Sequence, residues 1–182
     1  METVINMEAL INMVLLTLLA LITLGIIRVR NLFAVVVLTG AYSFLMASVM
    51  IVLDAVDVAM TEASVGAGIS TVLALSALYL TKTEEAPPRY TAALPLFVVI
   101  GTGAVLIYGT YGLPHFGMAD TPMNTGVGAD YLARNYQETG VPNVVTSVLA
   151  SYRGFDTLGE TTVIFTAGIG VLLLLKRFRQ EG

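Results

Sequence analysis

The sequence predicts an all-α integral membrane protein with about five transmembrane helices, plus a short interfacial or re-entrant helix before the last one. Three observations carry this reading. Hydrophobic residues make up 56% of the 182 residues and charged residues only 12%, where a soluble domain is about a quarter charged. Mean hydropathy is +0.82, more apolar surface than one small soluble core could hide. The apolar residues are also gathered into runs that reach or approach the ~20 residues needed to cross a ~30 Å hydrocarbon layer.

The first run is "ALINMVLLTLLALITLGII", residues 9–27. It follows Glu2 and Glu8 rather than a basic stretch and is too long for the apolar part of a cleavable signal, so it is expected to stay as a membrane helix. "LFAVVVLTGAYSFLMASVMIVL" follows at 32–53, then a third run from about Val58 to Leu80, and "TAALPLFVVIGTGAVLIYG" at 91–109. The fifth, "TTVIFTAGIGVLLLL" at 161–175, is short unless a preceding turn also enters the membrane. Just before it, "NVVTSVLASY" at 143–152 is apolar but cannot span, which makes it the interfacial or re-entrant helix. The only long polar segment runs from Tyr111 to about Pro142; its Gly and Pro break regular helix, although "ADYLARNYQET" suits a short one. The chain thus reads as two units, residues 1–85 with three spans and 86–182 with two, the second carrying an outside loop at about 111–142.

Basic residues set the orientation. Arg28 and Arg30 follow the first span, Lys82 and Arg89 the third, and Lys176, Arg177 and Arg179 the fifth. If every run crosses once, all seven fall on one side and only Arg134 and Arg153 on the other. The positive-inside rule then puts the N-terminus outside and the C-terminus in the cytoplasm. The formal net charge of −4 argues against a nucleic-acid partner. The chain has no cysteine, which excludes disulfides, thiolate metal sites and cysteine nucleophiles.

Acids inside or beside a span are informative, because each costs roughly 2.5 to 3.5 kcal/mol at a helix centre. Asp54 and Asp57 fall in the turn between the second and third spans, Glu62 about one turn into the third, Asp156 just ahead of the fifth and Glu160 at its start. Capping is one reading, since the free N–H groups and dipole of a helix start favour an acid by about 0.3 to 1 kcal/mol. "TLGE" at 157–160 fits a capping box, with Thr157 and Glu160 as its members. A functional reading competes with it. Asp156 and Glu160, four residues apart, share a face if the helix begins early, and like charges on one face repel. Glu62 is followed by "ASVGAGIS", where Ala63, Gly66, Ala67, Gly68 and Ser70 remove bulk from the helix surface. Such a run allows close helix contact or leaves room for water and a kink beside the acid.

No enzyme site, cofactor box or metal centre is evident. His115, the single histidine, lies on a loop without companion ligands. "GAGIST" has no following Lys and lies in a membrane run, so it is not a phosphate loop. Ser151 lacks the Gly-x-Ser-x-Gly context of a hydrolase nucleophile.

Two longer strings go beyond composition. "DVAMTEASVGAGISTVLAL", residues 57–75, resembles the signature of the MbhD domain, and "PNVVTSVLASYRGFDTLGETTV", residues 142–163, that of the MbhE domain. The two occur in tandem at the C-terminal end of the large subunit of Mrp-type cation/proton antiporters, and as separate small subunits in membrane-bound hydrogenases. The resemblance implies a subunit of a complex-I-like membrane module, similar to the NuoJ subunit of respiratory complex I, in a prokaryotic inner or plasma membrane. It implies as partners a large antiporter-like channel subunit together with other small membrane subunits, and Na⁺ or H⁺ as the transported ion. By position, the family's ion-path acids fall on Glu62, Asp156 and Glu160, and Asp57 matches a further motif acid. Arg153 would restrain the charge of the Asp156–Glu160 pair, with Thr157, Gly66 and Gly68 in support. Two positions depart from the family pattern. Val56 stands where a proline is usual, with Asp54 as an extra acid, and Ser151-Tyr152 replaces an Asp-Phe pair. A hydrogenase or other respiratory complex, or a purely structural adaptor role with the acids as caps, are the alternatives to an antiporter.

Overall fold

A computed structural model describes residues 7–81, 83–86, 93–115 and 118–180. Five helices among them are long and apolar enough to cross a membrane: Met7–Arg28, Leu32–Val52, Val56–Leu80, Ala93–Thr110 and a helix whose apolar window is Gly154–Leu174. No strand is present among the described residues beyond one isolated bridge between Asn31 and Glu84. The chain forms two compact units, Met1–Ala93 and Leu94–Gly182.

The first unit contains α1 (Met7–Arg28), α2 (Leu32–Val52) and a third long helix in three parts: α3 (Val56–Thr61), a first π segment (Glu62–Ile69) and α4 (Ser70–Leu80). α2 packs against both α1 and the third helix. Its buried positions are Ser43, Ala47 and Val49, which meet a unit whose other buried residues are Leu19 and Ala59. Small residues dominate this seam because lipid tails are as apolar as leucine; helices in a bilayer associate through close packing and polar contacts instead.

The connections are built from ordinary end chemistry. Asn31 caps α2, its Oδ1 accepting from the Ala34 N–H at 3.0 Å. Its Nδ2 donates to Glu84 Oε1 at 3.3 Å, the Leu32 N–H to the Thr83 carbonyl at 2.7 Å and the Glu85 N–H to the Arg30 carbonyl at 3.0 Å. The segment after α1 therefore lies beside the segment after α4, as three successive crossings require. Lys82 and Arg89, assigned by sequence to this side, lie outside the described residues. α2 ends in a Schellman motif: the Ala55 N–H reaches the Met50 carbonyl and the Asp54 N–H that of Ile51. Asp54 takes the left-handed conformation there, with φ 58°. The acid that departs from the family pattern thus occupies a backbone position that glycine or asparagine usually fills.

The second unit holds α5 (Ala93–Thr110), α6 (Pro122–Thr125), α7 (Val127–Thr139), α8 (Val144–Ser147), a second π segment (Val148–Tyr152) and α9 (Gly154–Gln180). Gly140, with φ 71°, ends α7 in the left-handed conformation that glycine adopts without strain. Asn143 caps α8, accepting from the Thr146 N–H at 3.0 Å. A polar knot ties the turn. Asn135, only 3% exposed, donates to the Val141 carbonyl at 2.7 Å, and the Thr139 hydroxyl meets that of the buried Ser147 at 3.2 Å. The short helix expected at 143–152 is present as α8 and the second π segment.

One sequence reading is overturned. The fifth spanning helix begins at Gly154, not at 161, so "TLGE" lies inside α9 and forms no capping box. Thr157 Oγ1 instead donates back to the Leu149 carbonyl at 3.0 Å, across the junction with the second π segment. The early start also gives this helix the length that the run 161–175 lacked.

Candidate functional site

The third helix holds its acid away from its ends. Glu62 is the seventh residue from Val56, and its N–H already bonds the Val58 and Ala59 carbonyls, so it caps nothing. It opens the first π segment, where the backbone closes i→i+5 bonds such as Ser70 N–H to the Val65 carbonyl. π segments are rare and frequently mark functional sites.

Opposite this segment lies Ser43 of α2, which is 7% exposed. A Cβ on Gly66 would stand 2.6 Å from Glu62 Oε1, 2.7 Å from Ser43 Oγ and 2.9 Å from Ser43 Cβ. Only glycine fits there. One turn along, a Cβ on Gly40 of α2 would stand 2.8 Å from Thr71 Oγ1, a second point of close approach. Beside Gly66 a cleft of about 190 Å³ is lined by Val36, Thr39, Gly66, Ser70, Thr71 and Ala74. Gly68 differs: it is exposed, and a Cβ there would meet only the Ala63 carbonyl, at an ordinary 3.6 Å. Of the two glycines paired by sequence, Gly66 alone makes the tight contact.

Asp57 sits in the first turn of α3, where the dipole reading suffices. Five residues from Glu62, it points roughly 140° away around the helix. The structure therefore does not bring these two acids onto one face.

In the second unit Asp156 lies in the first turn of α9, and Arg153 Nε pairs with its Oδ2 at 2.5 Å. Both side chains are about 60% exposed, at 63% and 60%. Glu160, the seventh residue of α9, is also exposed and is not at a helix start. With the helix beginning at Gly154, Asp156 and Glu160 share one face, four residues apart. The guanidinium thus offsets the charge nearer the helix start and leaves an anionic strip beside it.

Sequence reading missed a second polar group in this unit. The Tyr152 hydroxyl donates a short hydrogen bond to Glu138 Oε2, whose other oxygen pairs with Arg134 at 3.2 Å. The ring of Tyr152 rests 4.9 Å from that of Tyr131, centre to centre. The bond to Glu138 raises the Tyr152 pKa above its usual value; desolvation and the carboxylate charge add to this, while Arg134 opposes it. No local signal linked positions 138 and 152, because the α7–α8 turn alone brings them together.

The comparisons with known proteins follow the same two units. The model of the family MbhD, described as the D subunit of MBH, matches residues 17–83, and that of MbhE, the E subunit of MBH, matches residues 91–181. The Na(+)/H(+) antiporter A1 subunit of Staphylococcus haemolyticus is 33% identical over 159 residues, covering 83% of this chain and 18% of the relative. The Na(+)/H(+) antiporter A subunit of Alkalihalophilus pseudofirmus is 27% identical over 156 residues, 85% of this chain and 19% of the relative. A Rhizobium meliloti protein named as a probable K(+)/H(+) antiporter A/B subunit is 29% identical over 157 residues, 81% of this chain and 15% of the relative. The chain spans less than a fifth of the length of these curated relatives.

Proposed function

The chain belongs to the tandem MbhD–MbhE family, and from that premise we propose that it is a membrane subunit of a multisubunit Mrp-type cation/proton antiporter, contributing acids to the ion path. Residues 1–85 are its MbhD-like unit and 86–182 its MbhE-like unit. Its partners are a large antiporter-like channel subunit together with other small membrane subunits, in a prokaryotic plasma membrane, with the N-terminus outside and the C-terminus in the cytoplasm. The transported ions are H⁺ and a monovalent cation, Na⁺ by the names of two of the three relatives above.

The observation that carries this reading is the placement of Glu62. A carboxyl within a membrane-spanning helix is costly, and here it has no helix end to serve. It opens a π segment beside a glycine that leaves its oxygen room. Glu62 then acts as a protonatable relay, and the π segment, one residue out of register with an α-helix, lets the span change its hydrogen bonding around that acid. Asp156 and Glu160 form an anionic strip that attracts cations, with Arg153 setting its net charge.

The test is cation-dependent proton flux in vesicles containing the whole complex, at matched assembled protein. Glu62→Gln is expected to abolish flux with assembly intact. Wild-type flux in that variant would remove Glu62 from the path. Asp156→Asn/Glu160→Gln is expected to weaken the cation dependence. Unchanged flux with lower yield would return Asp156 to helix-end chemistry, remove Glu160 from the path and favour the adaptor reading, which the first-turn position of Asp156 also fits. The family description "MBH" favours a second parent, a hydrogenase-type complex; neighbouring genes for nickel-iron or iron-sulfur subunits would point to it.

A further inference from the structure

Along α2, Thr39 donates its hydroxyl to the Val35 carbonyl at 2.9 Å and Ser48 donates to that of Phe44 at 2.9 Å. This is how a membrane helix commonly satisfies its own hydroxyls. Ser43 lies between them and is only 7% exposed, yet among the described residues its hydroxyl has no hydrogen-bond partner. Its Oγ lies 2.7 Å from the point where a Gly66 Cβ would stand, and Glu62 Oε1 lies 2.6 Å from the same point. This hydroxyl faces the notch that a carboxyl oxygen also faces.

We infer that Ser43 is a positioning residue for Glu62, its hydroxyl bonding the carboxyl across the Gly66 notch, directly or through one water. The inference rests on the reading of Glu62 as a relay. A serine hydroxyl is both donor and acceptor, so it donates to the ionised carboxylate and accepts from the protonated acid, following Glu62 through both states. Gly66 keeps that line open, since any Cβ there would press on both oxygens. The same glycine lines the 190 Å³ cleft with the side chains of Thr39, Ser70 and Thr71. That space is large enough to hold a water, with Val36 and Ala74 making part of its wall apolar.

Ser43→Ala removes the hydroxyl while nearly keeping the volume that the seam needs. In the assembled complex in vesicles, flux per complex is expected to fall about tenfold, the scale of one hydrogen bond to a charged group. The infrared carboxyl band that Glu62→Gln lacks should shift in Ser43→Ala. A merely structural serine would leave that band in place. Gly66→Ala pushes the same two groups apart, so the double variant should lose no more than the worse single one. Wild-type flux with an unshifted band in Ser43→Ala would overturn the inference, as would additive losses in the double variant. Glu62→Gln separates the two failures. If it keeps full flux, the relay reading falls; if it abolishes flux while Ser43→Ala changes neither readout, only the role of Ser43 falls.

Discussion

The first π segment, Glu62–Ile69, and the second, Val148–Tyr152, carry the same wide hydrogen-bonding pattern in different settings. The first lies inside a continuous 25-residue spanning helix, with α-helix on both sides. It is held from outside, by α2, through Gly66 against Ser43 and Thr71 against Gly40. The second joins a four-residue helix to α9 and is held from within, by the Thr157 hydroxyl on the Leu149 carbonyl and by the bond from Tyr152 to Glu138. Packing between helices can yield if the neighbour moves, whereas a local hydrogen-bond latch opens only when its own bond breaks. The pair therefore separates a segment held by packing, where the proposed change of bonding around Glu62 would take place, from one that fixes a corner.

The largest effect should come at Gly66. Gly66→Ala forces a Cβ into two oxygens and is expected to destabilise the unit by about 1 to 3 kcal/mol. Gly68→Ala meets only the Ala63 carbonyl, at ordinary contact distance, and should be neutral or stabilising, by up to about 1 kcal/mol. Thermal unfolding of the two variants in detergent checks this; equal effects would erase the asymmetry between these glycines. Next in size is Thr157→Val, which leaves the Leu149 carbonyl without its donor and should cost about 1 kcal/mol. Hydrogen exchange at residues 148–153 should quicken while that at 62–70 stays unchanged.

Tyr152→Phe should have the smallest effect, and it depends on pH. The folded Tyr152 pKa lies above the usual 10.0, so the stability from its bond to Glu138 is fully present below pH 10. It is lost as pH rises through the raised value. A stability difference between wild type and Tyr152→Phe that persists at the alkaline end, rather than vanishing there, would show that the hydroxyl is not the source.

For the first three spans, the expected ends fall within two residues of the observed helices. Length and hydropathy are local properties, and every backbone group in a bilayer must be satisfied within its own helix, so an apolar run of that length has one outcome. The turn at Asp54 and the caps at Asn31, Gly140 and Asn143 follow the same local chemistry. The start of the last helix was misread for an instructive reason. "TLGE" has the composition of a capping box, but a box forms only where the chain enters a helix, and here it is already helical at Gly154.

Spacing along the chain was enough to select Glu62, Gly66, Asp156 and Glu160 as candidates. Which of them meet what required the fold. Gly66 and Gly68 look alike in sequence, and only the approach of α2 distinguishes them. Ser43 carries no motif and stands out because α2 sets it against Gly66, while Glu138 and Tyr152 meet because Gly140 turns the chain between them. The bilayer dictates which stretches become helices, since desolvation acts on each stretch alone. Contacts between helices depend on a rotation and a depth for each one, and those are settled only when two surfaces pack.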